Sequence, residues 1–275
     1  MPPNTEPERG RSTARGSSEQ FAGGHVGVEI GEDFVATVEL RRPPNNYFDA
    51  TLLHGLADAL DELERDERCR TVVLASEGKH FCAGAELGGA AATGRSEPSA
   101  TYEAAVRLLS GTKPIVAAIK GAAIGGGLGL AMTADFRIGS PESRFTANFA
   151  QLGFFPGFGL TVTLPRIVGE QATLDLLYTG RRVGGEEAFA LGLCDRLVAS
   201  EDVRSTAHEL AATIAMSAPQ SVQRLRRHLR GALAEAVRVA THREREEQVE
   251  LATSADFKEG VAATAERRPP RFTGR

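Results

Sequence analysis

His80-Phe81-Cys82-Ala83-Gly84-Ala85-Glu86-Leu87 and Gly121-Ala122-Ala123-Ile124-Gly125-Gly126-Gly127-Leu128-Gly129 are the two stretches whose reading decides the fold. Each follows a short apolar run, 71–75 and 115–119, that reads as a buried strand. A strand, then a turn of small residues, then a helix leaves backbone N–H groups unpaired and aimed outward. Two such turns side by side can hold one oxygen atom between two N–H donors, which is an oxyanion hole. The alternative is a pair of tight turns that need small residues only for packing.

Taken together, the pair is similar to the crotonase superfamily, the enoyl-CoA hydratase/isomerase family. Further matches are Ala134-Asp135-Phe136-Arg137-Ile138, Leu152-Gly153 with Pro156-Gly157, and Leu164-Pro165-Arg166-Ile167-Val168-Gly169. Thr179-Gly180-Arg181-Arg182, Glu187-Ala188 and Leu191-Gly192-Leu193-Cys194-Asp195-Arg196-Leu197-Val198 extend it. The resemblance implies an α/β fold, a crotonase-like spiral of strand-strand-helix units with a C-terminal all-helical region used in trimerisation. It implies an acyl-CoA thioester as substrate, coenzyme A entering as part of it, and no separate cofactor. The oxyanion donors carried onto this chain are the backbone N–H groups of Ala85 and Gly126. The implied coenzyme A contacts are Arg42 and Pro43 on one loop, Phe81, Ala83 and Leu87 at the first turn, and Lys258 and Phe272 near the C-terminus. Assembly as a homotrimer or a dimer of trimers is the implied quaternary state.

Departures from the family pattern carry as much information. Hydratases of the family use two glutamates as the acid/base pair that adds water; the matching positions here are Gly129 and Phe149. Other members place an aspartate where this chain has Pro156-Gly157. General acid–base chemistry needs a titratable group within hydrogen-bond reach of the proton, and neither glycine nor phenylalanine supplies one. An aromatic cluster of Phe145, Phe149, Phe154, Phe155 and Phe158 stands instead. Phe145 reads as core. Phe149, Phe154 and Phe155, with Gly129 and Gly157, read as lining a substrate pocket for a bulky apolar or aromatic acyl group. Asn148, Gln151, Tyr102 and Glu103 are unranked polar candidates, while Glu86 and Asp135 read as structural.

Bulk properties agree. The chain has 275 residues, a net charge of −4, 41% hydrophobic and 25% charged residues, ordinary for a globular protein. The charge makes no case for nucleic acid or an anionic membrane, and no apolar run approaches the roughly 18 residues of a membrane span. With no apolar core at the N-terminus of the kind a secretory signal requires, a cytoplasmic location is the expectation. Cys69, Cys82 and Cys194 are spaced for neither a metal site nor a disulfide framework. Cys82 reads as a small buried residue behind the turn rather than a nucleophile.

Three regions are expected: a disordered segment at 1–24, a spiral core at 25–202 and a helical region at 203–275. Within the core, 26–30 and 34–40 read as a hairpin, and Asp49 as the cap of a helix with Leu52, Leu53, Leu56, Leu60 and Leu63 at helical spacing. The stretch 88–99 reads as a small, polar loop, and 102–109 as a helix. After 203, helices are expected at 203–216, from Pro219, at 233–251 and at 259–267. The run Arg243-Glu244-Arg245-Glu246-Glu247 reads as a solvated helix face.

Three functions follow. One is an acyl-CoA enzyme that stabilises a thioester enolate without two-glutamate hydration, decarboxylation of a malonyl-type thioester being an example. Another is an isomerase or C–C hydrolase with relocated acid/base residues. The third is a non-catalytic acyl-CoA-binding protein. A serine protease is disfavoured, because no Ser/His/Asp set sits at suitable turns.

Overall fold

The structure, a computed structural model, describes residues 18–85 and 98–275. Ten strands are described: β1 (Ser18–Phe21), β2 (Val26–Ile30), β3 (Val35–Leu40), β4 (Thr71–Ser76), β5 (Ile115–Ala118), β6 (Ala122–Ile124), β7 (Phe136–Gly139), β8 (Arg144–Thr146), β9 (Arg182–Gly184) and β10 (Arg196–Leu197). The helices are α1 (Ala50–Arg65), α2 (Pro98–Ser110), α3 (Gly126–Thr133), α4 (Leu160–Val168), α5 (Glu170–Thr179), α6 (Gly185–Leu191), α7 (Val203–Ala215), α8 (Pro219–Leu251) and α9 (Ala255–Ala265).

The main sheet has seven strands in the order β1-β2-β3-β4-β5-β7-β10. Its first two pairs are antiparallel and the rest parallel. A second, three-stranded sheet, β6-β8-β9, runs beside it. Single bridges, Phe48 to Ala85 and Cys82 to Ala123, extend this second wall past β6. The chain therefore winds as a spiral: each turn gives one strand to the large sheet and a shorter extended piece to the second wall. β4 shows why the inner strands read as continuous apolar runs. Val72 and Leu74 enter the main core, whereas Val73 and Ala75 face a separate cluster on the opposite side. A strand covered on both faces has no polar side to show.

That opposite cluster corrects the boundary drawn at 202/203. Val203, Ala207, Ala211 and Ala215 of α7 pack against Val35, Val73, Val116 and Ile138. α7 is thus a covering layer of the main sheet, and the core extends past residue 203. Likewise, β1 lies inside the segment expected to be disordered and pairs with β2 through Ser18↔Glu29 to Phe21↔Val26. Residues 1–17 lie outside the described residues.

Asp49 caps α1 as its sequence implied, its side chain accepting from Leu52 N–H at 2.8 Å. α2 starts earlier than the expected helix, at Pro98. α8 joins two expected helices into one of 33 residues. Gly231 in its middle costs only about 1 kcal/mol of propensity. The buried stripe Arg226, Leu233, Val237, Thr241 and Glu244 runs through it without a break. Glu244, expected on a solvated face, is 1% exposed. α9 begins at Ala255 rather than 259, capped by Ser254 Oγ, which accepts from Phe257 N–H at 3.0 Å. No helix among the described residues is long and apolar enough to cross a membrane.

Candidate functional site

The two quoted turns meet. Cys82 N–H donates to Ala122 O and Ile124 N–H to Cys82 O, both at 3.0 Å, so the first turn is laced to β6. Gly84 has φ +95°, and a β-carbon there would lie 2.8 Å from Ile124 O and 3.8 Å from Gly126 N. Gly125, at φ +54°, caps α3 and donates its N–H to Thr146 O at 2.8 Å. Both backbone conformations and the close approach require glycine.

This lacing settles which amides are spent and which are free. Phe48 N–H donates to Gly84 O at 3.0 Å, pairing Phe48 with Ala85 in parallel fashion. A parallel partner bonds the residues on either side of Ala85, so the N–H of Ala85 itself points away. Gly126 is the first residue of α3, where an N–H has no intrahelical acceptor. Among the described residues, no acceptor takes either N–H. The positive end of the α3 dipole adds to this pair.

An apolar wall surrounds the donors. A β-carbon on Gly126 would overlap the Phe48 ring, and one on Gly129 would sit 2.5 Å from Phe158 Cβ. The Phe48 and Phe158 rings lie 5.8 Å apart and tilted. Phe149 Cζ is 3.8 Å from the β-carbon position of Gly125, so its ring tip touches the second turn. The expected aromatic cluster therefore divides. Phe149 and Phe158 line α3, and Phe145 is core at 0% exposure. Phe154 instead stacks on Phe257 of α9 at 4.5 Å. Phe155 is half-buried, its carbonyl accepting from Gln248 Nε2 at 2.8 Å.

Phe158 holds φ +63°, a conformation a bulky residue adopts at a cost of order 1–3 kcal/mol. The next residue is fixed from outside. Glu244 on α8 accepts from Gly159 N–H at 2.8 Å, Thr161 N–H at 3.1 Å and Thr161 Oγ at 2.5 Å. A carboxylate thus closes the N-terminus of α4. Burial nevertheless outweighs these bonds and raises the Glu244 pKa.

Few titratable groups adjoin the site. Cys82 is fully buried, and burial pushes its thiol up to about 12, which removes it as a nucleophile. His80 Nδ1 accepts from Ala122 N–H at 3.2 Å at the foot of β6. Burial first, then the charges of Lys79 and Arg144, lowers its pKa and keeps the ring neutral. Tyr102 is 7% exposed; burial, reinforced by the charge of Glu244, raises its phenol. No group of three or more His, Cys, Asp or Glu arranged to hold a metal occurs among the described residues.

The coenzyme A candidates fare unevenly. Arg42 is tied to Asp49 at 2.9 Å, and its loop is stitched by Asn46. Pro43 is exposed on that loop, and Ala83 is half-buried with its N–H given to Asn45 O at 2.9 Å. Phe81 is a correction: its side chain is 0% exposed and belongs to the main core cluster, so it is not available as a surface contact. Leu87, like Glu86, lies outside the described residues, as does most of the polar loop expected at 88–99. Lys258 is exposed on α9, a helix that packs on the 150–152 turn following Phe149, and Phe272 is 41% exposed. Lys79, Lys120 and Arg144 are exposed cations beside the first strand of the second wall that the sequence reading passed over.

Phe48, Gln248 and Glu244 were also missed. Phe48 had a local signal, since an apolar residue just before a helix cap is the staple position. Gln248 and Glu244 had none, because they arrive from α8, far away along the chain.

Comparison with known proteins fits this geometry. The enoyl-CoA hydratase/isomerase family model matches residues 31–275. A probable enoyl-CoA hydratase of Bacillus subtilis (strain 168) is 34% identical over 88% of this chain and 96% of the relative. The 1,2-epoxyphenylacetyl-CoA isomerase of Escherichia coli (strain K12) is 31% identical over 89% of this chain and 97% of its own length. The crystal structure of an enoyl-CoA hydratase/isomerase from Pseudoalteromonas atlantica T6c superposes with a TM-score of 0.83 at 31% identity, covering 90% of this chain and 100% of that one.

Proposed function

The chain belongs to the enoyl-CoA hydratase/isomerase family of acyl-CoA enzymes, and from that premise we propose that it binds an acyl-CoA thioester with the carbonyl oxygen between the N–H groups of Ala85 and Gly126. The observation that carries this reading is the pair of N–H groups on adjoining turns that no acceptor takes among the described residues. Donors fixed in advance stabilise the enolate oxygen more than the ground-state carbonyl, which is what accelerates a reaction.

The reaction is enolate chemistry in which no protein carboxylate adds water. A β-carbon on Gly129 meets Phe158 and one on Gly125 meets Asn148 and Phe149, so the neighbours these positions show among the described residues include no acid. Glu244, the buried carboxylate behind this wall, spends both oxygens on α4 and does not replace them. Decarboxylation fits such a site: the Cα–carboxylate bond breaks, its electron pair becomes the enolate, carbon dioxide leaves, and a solvent proton completes the product. The relative that isomerises an epoxyphenylacetyl thioester makes isomerisation the second reading. No resident cofactor is required, and the cytoplasm is the proposed location.

A homotrimer or a dimer of trimers is part of the proposal. Met216, Leu225, Leu229, Val239 and Val249 stand between 52% and 80% exposed on or beside α8, an apolar load that a cyclic interface would cover. Light scattering showing only monomer at micromolar concentration would defeat this part.

The donor assignment has a clean test. Proline at 126 deletes the N–H, but any side chain there meets Phe48. The comparison is therefore Phe48→Ala/Gly126→Pro against Phe48→Ala/Gly126→Ala, with products from a panel of acyl-CoA thioesters read by mass spectrometry. Loss of the donor should cost about 10²–10³-fold in kcat; equal turnover in the two variants would reject the site. Crotonyl-CoA hydration by the wild type should be weak or absent, and robust hydration would reject the reading of Gly129 and Phe149.

A further inference from the structure

Of the four polar candidates unranked in the sequence, Asn148 reaches the second turn. Its Oδ1 is 3.3 Å from the point that a Gly125 β-carbon would fill, and Phe149 Cζ is 3.8 Å from it. Among the described residues, the chain neighbours 124 and 126 aside, no other heavy atom lies within 4 Å of that point. The other candidates are placed differently. Gln151 Nε2 is spent on Thr179 O at 2.7 Å, Glu103 is exposed on α2, and the Tyr102 hydroxyl is buried beside Gly157.

The Gly125 point has a stereochemical meaning. With Gly125 at ψ −118°, a bond from its Cα to a β-carbon would eclipse the C–N bond to Gly126. In a trans peptide that direction runs nearly parallel to the Gly126 N–H and beside it. An oxygen accepting from Gly126 therefore sits just past the Gly125 β-carbon position, and the Asn148 amide tip borders that space.

The amide is also unspent. It makes no hydrogen bond among the described residues, and Asn148 is only half-buried. Thr146 Oγ1, two residues earlier, likewise lacks a partner, as do the Tyr102 hydroxyl and one nitrogen each of Arg226 and Arg230, but those atoms are sealed from solvent. The backbone beneath the amide is held. Gly125 N–H donates to Thr146 O at 2.8 Å and Leu152 N–H to Asn148 O at 3.2 Å. Asn148 Cα lies 3.1 Å from the point a Gly180 β-carbon would fill, so the chain packs closely there.

We propose that Asn148 is a third donor to the thioester oxygen: its Nδ2–H joins the N–H groups of Ala85 and Gly126 as negative charge gathers on that oxygen in the enolate. This rests on the acyl-CoA reading of the site. The terminal torsion of an asparagine is broad and roughly two-fold, so a half-turn puts Nδ2 where Oδ1 stands, and no existing bond is broken by it. A neutral amide stabilises an oxyanion where a carboxylate would repel it. The adjoining Phe149 ring strengthens the bond by limiting competing water.

The test is isotope-edited infrared spectroscopy of phenylacetyl-CoA and butyryl-CoA, labelled with heavy carbon at the thioester carbonyl. Each is bound to wild type, Asn148→Leu and, as control, the exposed Tyr178→Phe. Wild type should lower the carbonyl stretch, because hydrogen bonds to that oxygen weaken the C=O bond. Asn148→Leu should give back part of that lowering, and Tyr178→Phe none. On thioesters that wild type turns over, kcat of Asn148→Leu should fall about 10²–10³-fold with KM little changed, the pattern of an interaction made in the transition state. Its melting temperature should not fall, since the amide holds nothing else in place. A stretch lowered equally in Asn148→Leu and wild type overturns the proposal, as does an intact kcat. A lower melting temperature with the stretch unchanged overturns it in favour of a structural role. Asn148→Ala is read in the same way should the leucine variant not fold. Wild type that binds neither thioester, or binds them with an unshifted carbonyl, rejects the Ala85 and Gly126 reading itself, a result distinct from the others.

Discussion

The two ends of α3 treat the same problem in opposite ways. At the N-terminal end, Gly126 N–H and the neighbouring Ala85 N–H have no acceptor among the described residues, and phenylalanine side chains stand beside the turns. At the C-terminal end, arginine side chains answer the last carbonyls. Arg230 donates to Thr133 O at 3.2 Å and Ala134 O at 3.0 Å, and Arg137 to Ala134 O at 3.1 Å. Asp135, just beyond, accepts from Ile115 N–H at 2.8 Å, Arg226 at 2.8 Å and Arg230 at 2.7 Å. Cations belong at a helix C-terminus, and this end is closed by two of them, with Arg226 held just beyond through Asp135. The lesson is about where polarity is spent. Paired buried charges fasten α8 to the core, while donors without an acceptor among the described residues mark the end where the proposal seats a ligand.

Removing Asp135 should break the closed end most severely. Asp135→Ala leaves Arg226 and Arg230, 4% and 17% exposed in their side chains, without a counter-charge. Breaking a buried pair from one side costs about 3–5 kcal/mol, to be read from urea unfolding. A stable variant that instead lost turnover would mean that Asp135 serves the chemistry, and the contrast between the two ends would fail.

A smaller effect should appear on the open end. Gly129→Ala drives a methyl into Phe158 Cβ, and overpacking of this kind costs about 1–3 kcal/mol. Phe158→Ala in the same chain should return part of that loss, as contacting residues do not add independently. Strict additivity in the double-mutant cycle would show that the wall is looser than its geometry.

The smallest effect concerns pH. Glu244 has a pKa raised by burial above its ordinary value of 4.5, so the folded chain holds a proton there that the unfolded chain releases. Its contribution to stability is complete below pH 4.5 and is lost as pH rises through the folded-state value. Carboxylates such as Asp49 and Glu259 are lowered and act with the opposite sign, so the informative quantity is a difference. Melting temperatures measured across pH should show wild type losing ground to Glu244→Gln as pH rises above 4.5. A pH-independent difference would mean that the α4 cap holds Glu244 at its ordinary value.

Much of this was legible in order along the chain. The hairpin, the Asp49 cap, the two strands before the glycine turns and Pro219 opening α8 are local, since each rests on residues within a few positions of one another. Failures came where distant segments meet. Phe81 was expected among the coenzyme A contacts and its side chain lies in the core, because nothing nearby in sequence reports which way a turn residue points. The solvated reading of Arg243 to Glu247 held for the exposed Arg243, Arg245 and Glu246 and missed Glu244, whose partners Gly159 and Thr161 come from another helix.

By itself, then, the sequence determined the family, the α/β spiral and the candidate donors Ala85 and Gly126, because glycine turns after buried strands are short-range signatures with steric causes. Only the tertiary structure decided that α7 is core, that Phe48 and Phe158 wall the site, and that Tyr102 and Gln248 fill the space beside Gly157. Those facts depend on which side chains from separate helices reach the same few ångströms, and burial and pairing are properties of that meeting, not of any one segment.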